Sequence, residues 1–77
     1  NRRGSERMFE IEIGKSYICK PIGAKKEVVG YIEHTYANTV LICVEEYDEK
    51  DRSTIIEKQH RMLVKYEDIL SQIELVS

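Results

Sequence analysis

The sequence is poor in the residues that usually build metal and catalytic sites. It has two cysteines, two histidines, one proline, four glycines and no tryptophan in 77 residues. Cys19, His34, Cys43 and His60 include no pair with the close spacing of structural zinc ligands. Nothing places a histidine beside a thiolate, and no glycine-rich motif could cradle a phosphate. We therefore expect no metal, no cofactor and no enzymatic activity.

Apolar runs are also too short to cross a bilayer, which needs about 20 consecutive apolar residues. The first residues are charged and lack the apolar core of a signal peptide. We predict a soluble, cytoplasmic protein without membrane contact, in which Cys19 and Cys43 are reduced residues of the core. A chain of this length buries a modest core, so a homo-oligomer is a further expectation.

Charge is unevenly distributed along the chain. Residues 1–30 contain seven Lys/Arg and four Glu, whereas residues 31–77 contain five Lys/Arg and ten Asp/Glu. Five of those acids lie between positions 45 and 52, where Tyr47 is the only apolar residue. We predict that this stretch is a hairpin loop facing water. Such a loop offers no burial to raise a carboxyl pKa, so acid–base catalysis is not expected there.

The strongest structural signal lies between positions 28 and 44, where Val, Ile, Thr and Tyr predominate. These residue types favour a pleated, half-buried surface. The pattern predicts two strands joined by a turn over residues 36–38. The first is opened by residues 25–27 and runs through Val28 to Thr35, and the second runs from Thr39 to Glu46. Gly30, inside the first of these strands, indicates a bulge, a bend or the close approach of another backbone.

Shorter elements are predicted on either side of this hairpin. A strand over residues 15–20 ends where Pro21 removes a donor, and residues 53–64 are a candidate strand pair. Residues 66–70 predict one helical turn, which Asp68 caps or pins while Ile69 and Leu70 fill the end of a barrel. A last strand is predicted over residues 72–76.

The N-terminal pattern is equivocal. Phe9, Ile11 and Ile13 alternate as in a strand, whereas Phe9 and Ile13 also have helical spacing. We favour a short helix, capped by Ser5 and ending before Gly14, within a flexible basic segment over residues 1–13. Residues 14–77 then form the folded domain, a mainly β, five-stranded SH3-like barrel.

Two stretches resemble the Veg family of small Gram-positive bacterial proteins. The first has the sequence GYIEHTY over residues 30–36 and is followed by the apolar run VLI. The second has the sequence YEDILS over residues 66–71. Within these stretches the family-like positions are Gly30, Thr35, Tyr36, Tyr66, Asp68, Ile69 and Leu70. The chain departs from the family at residues 37–38, where Ala-Asn replaces Pro-Ser.

The resemblance implies an SH3-like barrel that self-associates and has a regulatory role without catalytic residues. The best-known member of the family is linked to biofilm formation through counteracting a transcriptional repressor. We therefore expect a non-enzymatic adaptor that binds a protein, such as a transcription regulator. An exposed strand edge or the loop around Tyr47 would provide the contact.

Nucleic-acid binding is the alternative function. SH3-like barrels bind nucleic acid through a basic face with aromatic residues for stacking, and Tyr17 or Tyr36 could supply the ring. The net charge of −2 and the ten acids of the second half count against it. The basic candidates are Arg2, Arg3, Arg7, Lys15, Lys20, Lys25 and Lys26.

Overall fold

A computed structural model describes residues 11–73, which form one five-stranded antiparallel sheet. The strands are β1 (Ser16–Cys19), β2 (Val28–Thr35), β3 (Thr39–Glu46), β4 (Arg61–Lys65) and β5 (Ile69–Gln72). Their order across the sheet is β4-β3-β2-β1-β5, so the last strand returns to pair with the first. A 3-10 helix (Glu49–Asp51) and the α-helix α1 (Arg52–Glu57) connect β3 to β4, and a second 3-10 helix (Tyr66–Asp68) connects β4 to β5.

The β2–β3 hairpin confirms the prediction made from its residue types, except that β2 begins at Val28 and residues 25–27 are not part of it. Its turn is closed by the Tyr36 amide, which donates to the Thr39 carbonyl at 2.8 Å. Alternate residues of β3 face the interior, so Val40 and Ile42 are fully buried while Leu41 and Cys43 lie on the outer face. The hairpin therefore contributes side chains to both faces of the sheet.

Gly30 provides the close approach that its position in the strand predicts. A Cβ placed there would lie 2.9 Å from the Cys43 carbonyl oxygen and 2.9 Å from Cδ1 of Ile42. The pairing register with β3 also shifts between Val29 and Gly30, which marks a bulge. A larger residue would push the two strands apart at this point.

The core is a single cluster of side chains from all five strands and α1. Tyr17 and Ile55 are among its fully buried members, and Ile11 and Tyr66 pack against it from the side. The buried members are Tyr17, Cys19, Val28, Ile32, Val40, Ile42, Val44, Ile55, Met62, Val64 and Ile69.

The strand pair predicted over residues 53–64 is wrong in its first half. Residues 52–57 are helical, and the chain reverses through Gln59 and His60, whose φ angles are 59° and 67°. Ile55 is buried and Ile56 is 50% exposed, so only one of the two isoleucines of α1 enters the core. Burial of Ile55 against the sheet overrides the β preference of these β-branched residues.

The C-terminal and N-terminal predictions need smaller corrections. The helical turn predicted over residues 66–70 is confirmed only for Tyr66–Asp68, whose N-cap is Lys65 and not Asp68 and has no side-chain cap bond. The last strand is Ile69–Gln72 instead of residues 72–76, of which residues 74–76 lie outside the described residues. Leu70 is 48% exposed, so it does not fill the end of the domain. Residues 11–13 are not helical, and the rest of the predicted N-terminal helix lies outside the described residues.

The two thiols differ in burial. Both are free, but only Cys19 is buried, whereas Cys43 is half-buried on the outer face and not in the core as predicted. Burial raises the pKa of Cys19 to about 12, so this thiol stays protonated at neutral pH. Between residues 11 and 73, no helix is long and apolar enough to cross a membrane.

Candidate functional site

The acidic loop over residues 45–52 is not the solvated hairpin that its composition predicts. Asp51 is 1% exposed, and its two carboxylate oxygens accept hydrogen bonds from the backbone amides of Lys25 and Lys26, each at 2.8 Å. Tyr47 is half-buried and packs against the core, with its ring 5.9 Å from that of His60. The loop therefore anchors the β1–β2 connection to the rest of the domain.

Local sequence explains how Asp51 reaches this position. The Asp48 side chain accepts from the Lys50 amide at 2.8 Å and so caps the 3-10 helix. Asp51 ends that helix, and α1 begins at the next residue with Ile55 turned into the core. The capped turn and the buried isoleucine together point the Asp51 carboxylate at the β1–β2 connection.

The surroundings of Asp51 keep its carboxylate charged. The hydrogen bond from the Lys25 amide is the main reason that the pKa of Asp51 lies below its ordinary value. Burial opposes this shift, while the Lys26 amide and the charges of Lys25 and Lys20 reinforce it. A carboxylate held in this form is a structural anchor and not a general acid at neutral pH.

The predicted basic face is only partly assembled. Lys20, Lys25 and Lys26 line a recess of about 450 Å³, but Glu27 and Asp48 line the same recess. Carboxylates among the lysines weaken the attraction for a phosphate backbone. We call this surface the mixed-charge recess.

The remaining residues proposed for nucleic-acid binding lie elsewhere. Lys15 does not line the recess and forms an exposed ion pair with Glu12 at 3.5 Å. Tyr17 is fully buried and cannot stack on a base. Tyr36 is 49% exposed at the hairpin turn, with its ring 4.8 Å from that of His34. Arg2, Arg3 and Arg7 lie outside the described residues.

A second surface, which the sequence did not reveal, is mainly apolar. Ile22 and Leu63 are 50% and 44% exposed, and they lie together because the Ile22 amide donates to the Leu63 carbonyl at 2.9 Å. Leu41 is the partner of Leu63 across β3 and β4 on the same outer face. We call this surface the apolar groove; it measures about 260 Å³ and is lined by Ile22, Leu41, Lys58, Arg61, Met62 and Leu63.

Arg61 is held at the rim of the apolar groove. Its Nε donates to Oε1 of Glu33 at 3.0 Å, and the Tyr31 hydroxyl donates to Oε2 of the same carboxylate at 3.3 Å. The Arg61 side chain nevertheless remains 59% exposed. This arrangement fixes a cation next to exposed apolar side chains, which is a combination suited to contact with another protein.

The two stretches over residues 30–36 and 66–71 meet in the fold. The Tyr66 hydroxyl donates to the Tyr36 carbonyl at 2.7 Å, which links the second stretch to the turn of the first. The Asp68 backbone carbonyl accepts from the Lys20 amide at 3.0 Å, and Ile69 is buried. Through these contacts the two stretches hold neighbouring elements of the fold together, which is a structural role.

Within residues 11–73, no three His, Cys, Asp or Glu side chains are grouped so that they could hold a metal ion. The fold and the surface define a small antiparallel β domain with one mixed-charge recess and one apolar groove. No family model, curated protein or solved structure matches this chain.

Proposed function

We propose that this chain is a non-enzymatic adaptor built on an SH3-like barrel, and that it acts by binding a partner protein. The observation that carries the proposal is the apolar groove. Ile22 and Leu63 would each lose exposed apolar area on contact with a partner, and burial of apolar area stabilises association. The charges of Arg61 and Lys58 beside them would orient the partner and make the contact specific.

Two features support closure of the sheet into a barrel. The strand order brings β5 back to β1, and β4 connects to β5 through a single 3-10 turn. The hydrogen bond from Ile22 to Leu63 also joins the segment after β1 to β4, the strand at the far edge of the sheet. Both contacts are expected of a strongly curled sheet that covers its edges.

We further propose that the partner is a transcription regulator and that its capture promotes biofilm formation. Support for this step comes from the Veg-like stretches over residues 30–36 and 66–71. The expected mechanism is a change in the regulator's availability for its target. Deletion of the gene for this chain should then reduce biofilm, and the captured partner should be identifiable as a regulator by mass spectrometry.

Direct nucleic-acid binding is the second candidate function, and the mixed-charge recess favours it. Lys20, Lys25 and Lys26 converge there, and a polyanion would find three cations within one recess. Glu27 and Asp48 in the same recess and the buried ring of Tyr17 count against this candidate.

Affinity capture from a lysate of the source organism separates these functions. The baits are the wild-type chain, Leu63→Ser and the double variant Lys25→Glu/Lys26→Glu. We expect one protein partner with the wild-type and double-variant baits and its loss with Leu63→Ser. Recovery of nucleic acid without protein, lost with the double variant and steeply salt-dependent, would overturn the proposal in favour of the second candidate.

A further inference from the structure

Resting on the proposed function, we propose that the apolar groove receives a short segment of the partner in which apolar and acidic residues are combined. The apolar residues would cover Ile22 and Leu63, and the acidic residues would pair with Lys58 and Arg61. The inference deepens the adaptor proposal because it names the surface and the chemistry of the segment that it binds.

The charges around the groove determine the sign of its partner. Lys58 and Arg61 line it, and no acidic side chain does. Among the described residues Lys58 forms no ion pair, and only Nε of Arg61 is recorded in the ion pair with Glu33. Both cations can therefore donate hydrogen bonds to further carboxylates at the edge of an apolar surface.

The apolar part of the groove sets the second requirement. Ile22 and Leu63 are about half exposed, although each lies against other apolar side chains of the groove. A purely acidic segment would leave these side chains in water. In a segment with alternating apolar and acidic residues, the apolar residues would cover Ile22 and Leu63, and the acidic residues would pair with Lys58 and Arg61.

The groove is held in shape without a partner. Ile22 belongs to a connection fixed by the Lys20 amide on the Asp68 carbonyl and by the Lys25 and Lys26 amides on Asp51. The Ile22 amide itself is fixed on Leu63. A preformed surface loses little conformational entropy on binding, which favours recognition of a short segment.

Two labelled peptides provide the probe, one alternating leucine with glutamate and one alternating leucine with lysine. Fluorescence polarisation measures their binding to the wild-type chain and to three variants. Leu63→Ser removes part of the apolar floor, Lys58→Glu reverses a rim charge, and Ile56→Ser is the matched control. Ile56 is also 50% exposed, but it lies on α1 and does not line the groove.

We expect the leucine–glutamate peptide to bind the wild-type chain and the leucine–lysine peptide to bind at least about tenfold more weakly. Leu63→Ser should weaken the first peptide about tenfold, and Ile56→Ser less than about twofold. Lys58→Glu should weaken the first peptide and strengthen the second.

Equal binding of the two peptides, or equal loss with Leu63→Ser and Ile56→Ser, would overturn the inference. Absence of binding by either peptide up to about 1 mM would also overturn it. Failure of the inference differs from failure of the adaptor function, because the capture experiment with the Leu63→Ser bait judges that function without these peptides. Self-association through the groove would appear as a Leu63-dependent dimer in sedimentation and would also contradict a foreign segment as its occupant.

Discussion

The apolar groove and the mixed-charge recess differ in composition although one connection contributes to both. Residues 20–26 supply Ile22 to the groove and Lys20, Lys25 and Lys26 to the recess. In the groove, exposed apolar side chains lie beside Lys58 and Arg61; no acid lines the groove, although Nε of Arg61 pairs with Glu33. In the recess, three cations are interleaved with Glu27 and Asp48. A count of lysines therefore does not identify a binding surface, because neighbouring acids decide whether the charge of the lysines is available to a partner.

The largest expected effect follows from removing the anchor that both surfaces share. Asp51→Ala leaves the Lys25 and Lys26 amides without their carboxylate, so we expect a fall in Tm of roughly 10 °C or more. Thermal unfolding followed by circular dichroism gives the measurement. Glu49→Ala is the control, since Glu49 is exposed in the same 3-10 helix. An equal fall in both variants would contradict the anchor.

The pH dependence of stability sharpens the assignment to Asp51. Because the folded state lowers the pKa of Asp51 from about 3.8, the unfolded chain binds the proton more readily. The stabilisation is therefore complete above pH 3.8 and is lost as the pH falls through the folded-state pKa. The difference in Tm between wild type and Asp51→Asn should shrink below pH 3.8, and a constant difference down to pH 2 would contradict it.

Local patterns predicted the hairpin, whereas long-range contacts determined the rest. Residue types predict the bounds of β3 and the end of β2, but place the start of β2 three residues too early. A glycine inside a strand indicates the close approach at Gly30. The helix α1 escaped prediction because six residues are too few for a helical period and include β-branched isoleucines. The last strand was predicted too late in the chain, because it follows the turn at residues 66–68 without a loop between them.

The two surfaces could not be predicted for a related reason. In the sequence, nothing distinguishes Asp51 from the other four acids of residues 45–52. Only the fold shows that its partners are the backbone amides of Lys25 and Lys26. Ile22 follows a proline in a turn, and only folding places it beside Leu63. The one available signal was parity, since Leu63 alternates with the buried Met62 and Val64 and must face outward.

Charge reversal in the recess alone is expected to have a small effect on both stability and partner affinity. Lys25→Glu/Lys26→Glu keeps both backbone amides on Asp51, so we expect little change in Tm. Partner affinity should change less than about threefold, because surface charges outside a contact act weakly. Isothermal titration with the captured partner gives the measurement. A loss comparable with that of Leu63→Ser would remove the distinction between the two surfaces.

The smallest effect is expected from chemical labelling of the outer face. Cys43 lies two residues from Leu41 on that face, whereas Cys19 is buried with a pKa raised to about 12. Maleimide should therefore label one thiol in the native chain, at Cys43, and leave Cys19 unmodified. Mass spectrometry of the digest identifies the site, and native labelling at Cys19 would contradict its burial.

The most direct test of the central claim is an NMR titration of the isotopically labelled chain with the leucine–glutamate peptide. We expect the largest amide shift changes at Ile22, Leu41 and Leu63, with small changes at Lys25 and Lys26. Largest changes at Lys25 and Lys26, with the groove amides unmoved, would contradict it.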